Sequence, residues 1–120
     1  MSTFRGRKGE EKAAAYLKRR GYRILGRNVR MGRGELDIIA RRAGLIAFIE
    51  VKAHKSREAG LLAVHADKCE RLKSAANAWL GHHPELSGLQ CRFDLIILTP
   101  GRGMGPIRFA HIEHLQDVIR

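Results

Sequence analysis

Asp37, Glu50 and Lys52 are the residues of this 120-residue chain whose types and spacing could do chemistry together. Two neighbouring carboxylates offer hard oxygen ligands. Such ligands, with coordination positions to spare for water and an anionic substrate, suit Mg²⁺ or Mn²⁺ and not zinc. A lysine two residues from one of the acids lies on the same face of an extended strand, where a bound cation and an anionic substrate would meet.

The elements that must position these groups lie in Gly34–Lys52, GELDIIARRAGLIAFIEVK. Glu35–Arg41 and Ile46–Lys52 read as two strands of alternating, mostly apolar residues joined by a turn at Arg42-Ala43-Gly44-Leu45. Symmetric closure about Ala43-Gly44 pairs 41 with 46, 39 with 48, 37 with 50 and 35 with 52. Glu35, Asp37 and Ile39 then share a face with Phe48, Glu50 and Lys52. Leu36, Ile38 and Ala40 share the other with Ala47, Ile49 and Val51. Carboxylates about 5 Å apart repel by roughly 3 kcal/mol at an effective dielectric of 20. A proton on one acid, a basic group between them, or a bridging divalent cation would relieve this. The competing reading is a solvated strand end with Asp37 salt-bridged to an arginine.

Length bounds the chain to one domain, residues 1–120, with a single core. No signal peptide and no span of about 20 apolar residues is visible, so a soluble, cytoplasmic protein is expected. Cys69 and Cys91 lie far apart without metal or redox spacing, which fits reduced thiols. The net charge is +11, and its distribution is uneven. Residues 1–33 hold eleven Lys or Arg against Glu10 and Glu11, whereas the other 87 residues hold twelve basic and ten acidic groups. A polyanion is the expected partner, and nucleic acid is favoured over a membrane surface because no strongly apolar helix face accompanies the charge.

From Arg7 to Arg20 the pattern is helical, with Ala13, Ala14 and Leu17 on one stripe and Gly21 as C-cap. Glu10 lies on that stripe, or is an acid of the first turn favoured by the helix dipole. Tyr22–Arg30 is a strand interrupted at Gly26, with Arg27 and Arg30 turned outward. Arg33, in the next turn, either meets a phosphate or is solvated. Ala53–Leu62 is a polar, basic loop carrying Lys55 and Arg57. A second helix spans Ala66–Leu80, with Leu72, Ala75, Ala76 and Trp79 as its buried stripe. Lys68 begins that stripe or stays at the surface. Arg92–Leu98 is nearly continuous apolar sequence, the pattern of a strand covered on both faces and parallel to its neighbour, with Asp94 as a buried partner for an arginine. Ile107–Ala110 reads as an edge strand and Ile112–Ile119 as a short closing helix. His111 and His114 lack a third ligand and read as solvated. The order is helix, three antiparallel strands, helix, strand, an α/β fold.

Gly34-Glu35-Leu36-Asp37-Ile38-Ile39-Ala40 followed by Phe48-Ile49-Glu50-Val51-Lys52 resembles the Asp, then Glu-x-Lys, pattern of the restriction-endonuclease-like, or PD-(D/E)XK, nuclease superfamily, which includes archaeal Holliday junction resolvases. Gly6 to Glu10, Tyr16-Leu17, Asn28, Lys68 and Cys91-Arg92-Phe93-Asp94 extend the resemblance to the YraN family of small bacterial proteins. The resemblance implies a three-layer α-β-α sandwich with a mixed sheet. It implies phosphodiester hydrolysis, of DNA and in particular branched DNA, with Mg²⁺ or Mn²⁺ held by Asp37, Glu50 and the Val51 carbonyl. Lys52 and Glu10 would assist, and Lys68 would reach the site. Arg7, Lys8, Arg30, Arg33, Lys55, Arg57 and Lys68 would contact nucleic acid. A homodimer is implied because resolvases must cut two strands. Family members usually carry a basic residue, frequently arginine, two positions beyond the lysine; His54 stands there instead and puts a phosphate contact in doubt. The alternatives from other classes are a non-catalytic nucleic-acid-binding module and a structural protein of a ribonucleoprotein.

Overall fold

A computed structural model describes residues 4–53, 66–100 and 109–118. The elements are α1 (Phe4–Arg19), β1 (Arg23–Met31), β2 (Gly34–Arg42), β3 (Leu45–Ala53), α2 (Ala66–Gly81), a short 3₁₀ turn (Pro84–Leu86), β4 (Gln90–Pro100) and β5 (Phe109–Leu115). The five strands form one sheet in the order β1-β2-β3-β4-β5. Only β3 and β4 run parallel, joined by the crossover that contains α2. Each face of the sheet carries one helix, which makes the mixed three-layer sandwich expected from the sequence.

Ala13, Ala14 and Leu17 recur at helical spacing and bury one stripe of α1 against Ile38, Ala40, Ala47 and Ile49. Leu17 is fully enclosed, so truncating it to alanine would cost about 2–5 kcal/mol. Gly21 ends the helix at φ 87, a conformation glycine adopts without strain. On the opposite face, Leu72, Ala75, Ala76 and Trp79 of α2 pack on Ile39, Ile46 and Phe48. All four are the stripe read from the sequence.

Near the turn the hairpin closes in the expected register, with Arg41 paired to Ile46 and Ile39 to Phe48. The pairing ends at Ile38 and Ile49, so the expected pairs of Asp37 with Glu50 and of Glu35 with Lys52 do not form. Two residues make the turn, with Ala43 at φ 52. The expected interruption of β1 is a shift in its pairing with β2 between Ile24 and Gly26.

Two further expectations about the strands and the closing helix differ from the fold. Leu36 does not share a face with Ile38 and Ala40; it packs with Ile39 and Leu72 on the α2 side. The alternation of β2 is therefore broken at Asp37, which neither flanking strand pairs. The closing helix over Ile112–Ile119 is also absent: Phe109–Leu115 is strand β5, antiparallel to β4, and Ile119 lies outside the described residues. Apolar groups at Phe109, Ile112 and Leu115 recur every third residue, a spacing that favours a helix in the sequence. The unpaired edge of β4 decides the matter, because backbone groups there need partners that a helix cannot supply.

Candidate metal and phosphate site

The β2–β3 pairing runs from the turn only as far as Ile38 and Ile49, and beyond that point the strands part. Asp37 fills the opening. Its Oδ2 accepts the Val51 N–H at 2.9 Å, replacing a strand partner. An extended residue points its N–H and C=O to the same side, so the Val51 carbonyl also faces this opening.

Glu50 stands beside Asp37, close enough to hydrogen-bond with it as well as repel it. Burial comes first in pushing the Asp37 carboxyl up to about 8, and the Glu50 charge adds to it against the opposing Val51 N–H. The two acids are adjacent, held so by the bond of Asp37 to the Val51 N–H and not by strand pairing. A proton on Asp37 and two ammonium groups on Glu50 relieve them.

Glu50 is only 4% exposed, and its Oε1 takes Lys52 Nζ at 3.1 Å and Lys68 Nζ at 2.7 Å. Burial, followed by the neighbouring Lys68, lowers the Lys52 pKa in spite of Glu50. Lys68 feels the same burial, but its bonds to Glu50 and Lys52 outweigh it and hold its pKa up. Lys68 thus reaches inward from the first turn of α2 and does not remain a surface residue.

Glu10 approaches from α1. No acid occupies the first turn of that helix, so the helix dipole does not explain Glu10. It is 7% exposed, its pKa is raised by burial against hydrogen bonding from Asn28 and the charge of Arg27, and its Oε2 is enclosed without a hydrogen-bond partner. A buried oxygen of this kind calls for a water or a cation.

Asp37, Glu50, Lys68, Arg33 and Arg71 line a cleft of about 190 Å³. Arg71, one helical turn beyond Lys68, was missed by sequence reasoning; the i, i+3 spacing from Lys68 is the signal that could have found it. Lys8, Arg30 and Arg33 are exposed, and Arg30 meets Glu35 at 3.4 Å. Lys8 does not line the cleft. Lys55 and Arg57 lie outside the described residues, as do His54 and the side chain of Arg7. No group of three or more His, Cys, Asp or Glu side chains able to hold a metal occurs among the described residues. The oxygen donors on offer are therefore the acid pair, the Val51 carbonyl and, at longer range, Glu10. This is a hard set that fits Mg²⁺ or Mn²⁺ with water completing the shell.

A second buried acid has a different role. Asp94, fully enclosed, accepts Arg92 Nε and a second Arg92 nitrogen at 2.8 Å each and the Asp117 N–H at 2.9 Å, and is bonded to His114 Nε2 at 2.7 Å. Arg92 also donates to the Tyr22 hydroxyl at 2.7 Å. Burial would raise the Asp94 pKa, but these partners hold it below the usual carboxylate range. Asp94 is structural, as expected from the sequence. His114, read as solvated, is instead buried against it, with only 5% of its side chain exposed. Cys69 and Cys91 are free thiols.

A mixed sheet sandwiched between two helices, with an acid pair where its central hairpin opens, is the restriction-endonuclease-like architecture. A model of the family described as "Uncharacterised protein family UPF0102" matches residues 9–98. A UPF0102 protein of Rhodopseudomonas palustris (strain BisA53) is 46% identical over 101 residues, 83% of this chain and 78% of that one. One from Nitrobacter winogradskyi is 46% identical over 97 residues, 81% and 82% of the two chains. Another, from Synechococcus sp. (strain JA-3-3Ab), is 40% identical over 114 residues, 92% and 87%. The chain belongs to the UPF0102 family, which bears out the YraN resemblance. No helix among the described residues is long and apolar enough to cross a membrane.

Proposed function

We propose that the protein hydrolyses phosphodiester bonds of nucleic acid, DNA first and branched DNA in particular, with Mg²⁺ or Mn²⁺ held by Asp37, Glu50 and the Val51 carbonyl. The observation that carries this reading is the acid pair itself. A stable sheet gains nothing from burying two carboxylates side by side where its strands part, with one of them protonated well above its ordinary range. A bound ion of this kind supplies Lewis-acid polarisation of a phosphoryl oxygen and a water that ionises near neutral pH. Lys52, freed from Glu50, donates to the charge developing at phosphorus or orients the attacking water. Glu10 accepts from a water of the site through its unpartnered Oε2. Lys68 and the arginines of the cleft hold phosphates, and the basic N-terminal third tracks the backbone without reading bases. Cutting both strands of a junction would take two such sites, hence a homodimer.

The experiment is incubation of the pure protein with supercoiled plasmid and a four-way junction, with and without Mg²⁺ or Mn²⁺. Metal-dependent nicking by wild type and none by Asp37→Asn is the expected result. Binding without cleavage by both would leave the second reading, a nucleic-acid-binding module. That reading is favoured by the two lysines already neutralising Glu50.

A further inference from the structure

We infer that the cleft continues past the acid pair as a binding site for one strand of nucleic acid, in which Arg33 and Arg71 hold the phosphate next to the one at Asp37 and Glu50. This rests on the nuclease reading and adds a subsite to it. The cleft at the acid pair and a larger one of about 600 Å³ share Arg33, Gly34, Glu35 and Arg71, so they form one groove that leads to Arg30. The larger part holds three arginines against a single acid, Glu35, which pairs with Arg30. Arg33 and Arg71 line both parts. Asp67 meets Arg71 only at 3.7 Å, with the Asp67 side chain largely exposed and that of Arg71 nearly half exposed, a contact readily exchanged for phosphate. Two guanidinium groups facing one groove match the oxygens of a phosphodiester, which they take in pairs.

The backbone fixes their separation. Gly34 passes so close to α2 that a Cβ there would lie 2.5 Å from the Arg71 carbonyl oxygen, and one at Gly32 would lie 2.9 Å from Ser74 Oγ. The Arg33 N–H donates to the same Ser74 hydroxyl at 3.3 Å. Along α2, Lys68 sits on Glu50 and Arg71 follows three residues later, with Cβ atoms about 5–6 Å apart, a step of one phosphate along a strand. Among the described residues no aromatic ring lines the groove, so the contact reads charge and not bases.

The test is fluorescence anisotropy with a labelled oligonucleotide in EDTA over a KCl series, which needs no cleavage. Arg33→Gln and Arg71→Gln should each lower the slope of log K against log salt by about 0.7–0.9. Arg71→Lys should restore the slope. Arg41→Gln, at the far end of β2 with its Nε bonded to the Ala43 carbonyl at 3.2 Å, should leave it unchanged. Wild-type slopes in both cleft variants, or an equal loss in Arg41→Gln, would overturn the subsite while leaving the nuclease reading intact. Binding with the expected slopes but no metal-dependent cleavage would sink the nuclease reading and keep the subsite. No binding by wild type would overturn both.

Discussion

Lys68 Nζ stands 2.7 Å from Glu50 Oε1, where a divalent cation on Glu50 would have to compete with it. Helix α2 thereby carries a resident cation for the acid pair. Lys68→Met removes it and leaves Lys52 as the remaining ammonium at this oxygen among the described residues. Metal-free stability is expected to fall by about 1–3 kcal/mol, the cost of leaving a buried charged group short of a partner. Added Mn²⁺ should return more of that loss than it adds to wild type, because nothing then has to be displaced. Thermal melting of both proteins with and without Mn²⁺ checks this.

Asp37, pushed up to about 8, makes stability depend on pH with a defined sign. Between its ordinary value near 4 and its folded value the native state holds a proton that the unfolded chain has lost. Stability from this group is full below pH 4 and is lost as pH rises through 8. The amide introduced by Asp37→Asn keeps an oxygen for the Val51 N–H but has no charge to bury. This variant should therefore gain on wild type steadily from pH 4 to pH 8.5 in metal-free melts. A constant difference across that range would refute the assignment.

Asp94 works in the opposite direction. Its pKa is held down by His114, Arg92 and the Asp117 N–H, so its contribution is present above the ordinary carboxylate value and is lost as pH falls through the lowered one. Asp94→Asn strips a buried charge from a bidentate arginine and should cost about 3–5 kcal/mol. Because His114 and Asp117 tie the end of the chain to β4 through this carboxylate, amide exchange in Phe109–Leu115 should rise before exchange in β2 or β3.

Gly34 and Gly44 look alike in the sequence and differ in the fold. A Cβ at 34 would strike the Arg71 carbonyl at 2.5 Å, a backbone group that cannot swing aside, whereas one at 44 meets nothing within 4 Å. Gly34→Ala should cost more than about 2 kcal/mol and weaken nucleic-acid binding by moving Arg33 away from Arg71. Gly44→Ala should stay within about 0.5 kcal/mol of wild type. Urea unfolding of the two variants separates them.

The contrast also marks what could be read in advance. Register near the turn was legible because a two-residue turn at Ala43-Gly44 closes symmetrically and so pairs Arg41 with Ile46 and Ile39 with Phe48. The stripe Leu72, Ala75, Ala76, Trp79 was legible because it repeats at helical spacing along α2. At Asp37 the pattern fails: Leu36 turns to the α2 side because the strands part there, and no local preference encodes a partner withdrawn from elsewhere in the sheet. His114 and β5 were misread for a related reason. Their conformation is set by Asp94 and by the open edge of β4, about twenty residues away in sequence. Arg71 escaped notice because its signal, the i, i+3 spacing from Lys68, gains meaning only once Lys68 is seen on Glu50.

We propose that Asp37 and Glu50 together make a site for a hard divalent cation. Calorimetric titration of the metal-free protein with Mn²⁺ at pH 8.5, where Asp37 is mostly ionised, addresses it directly. One site per chain in wild type, lost in both Asp37→Asn and Glu50→Gln, is the expected result. Equal Mn²⁺ binding by all three proteins, or none by wild type, would contradict it.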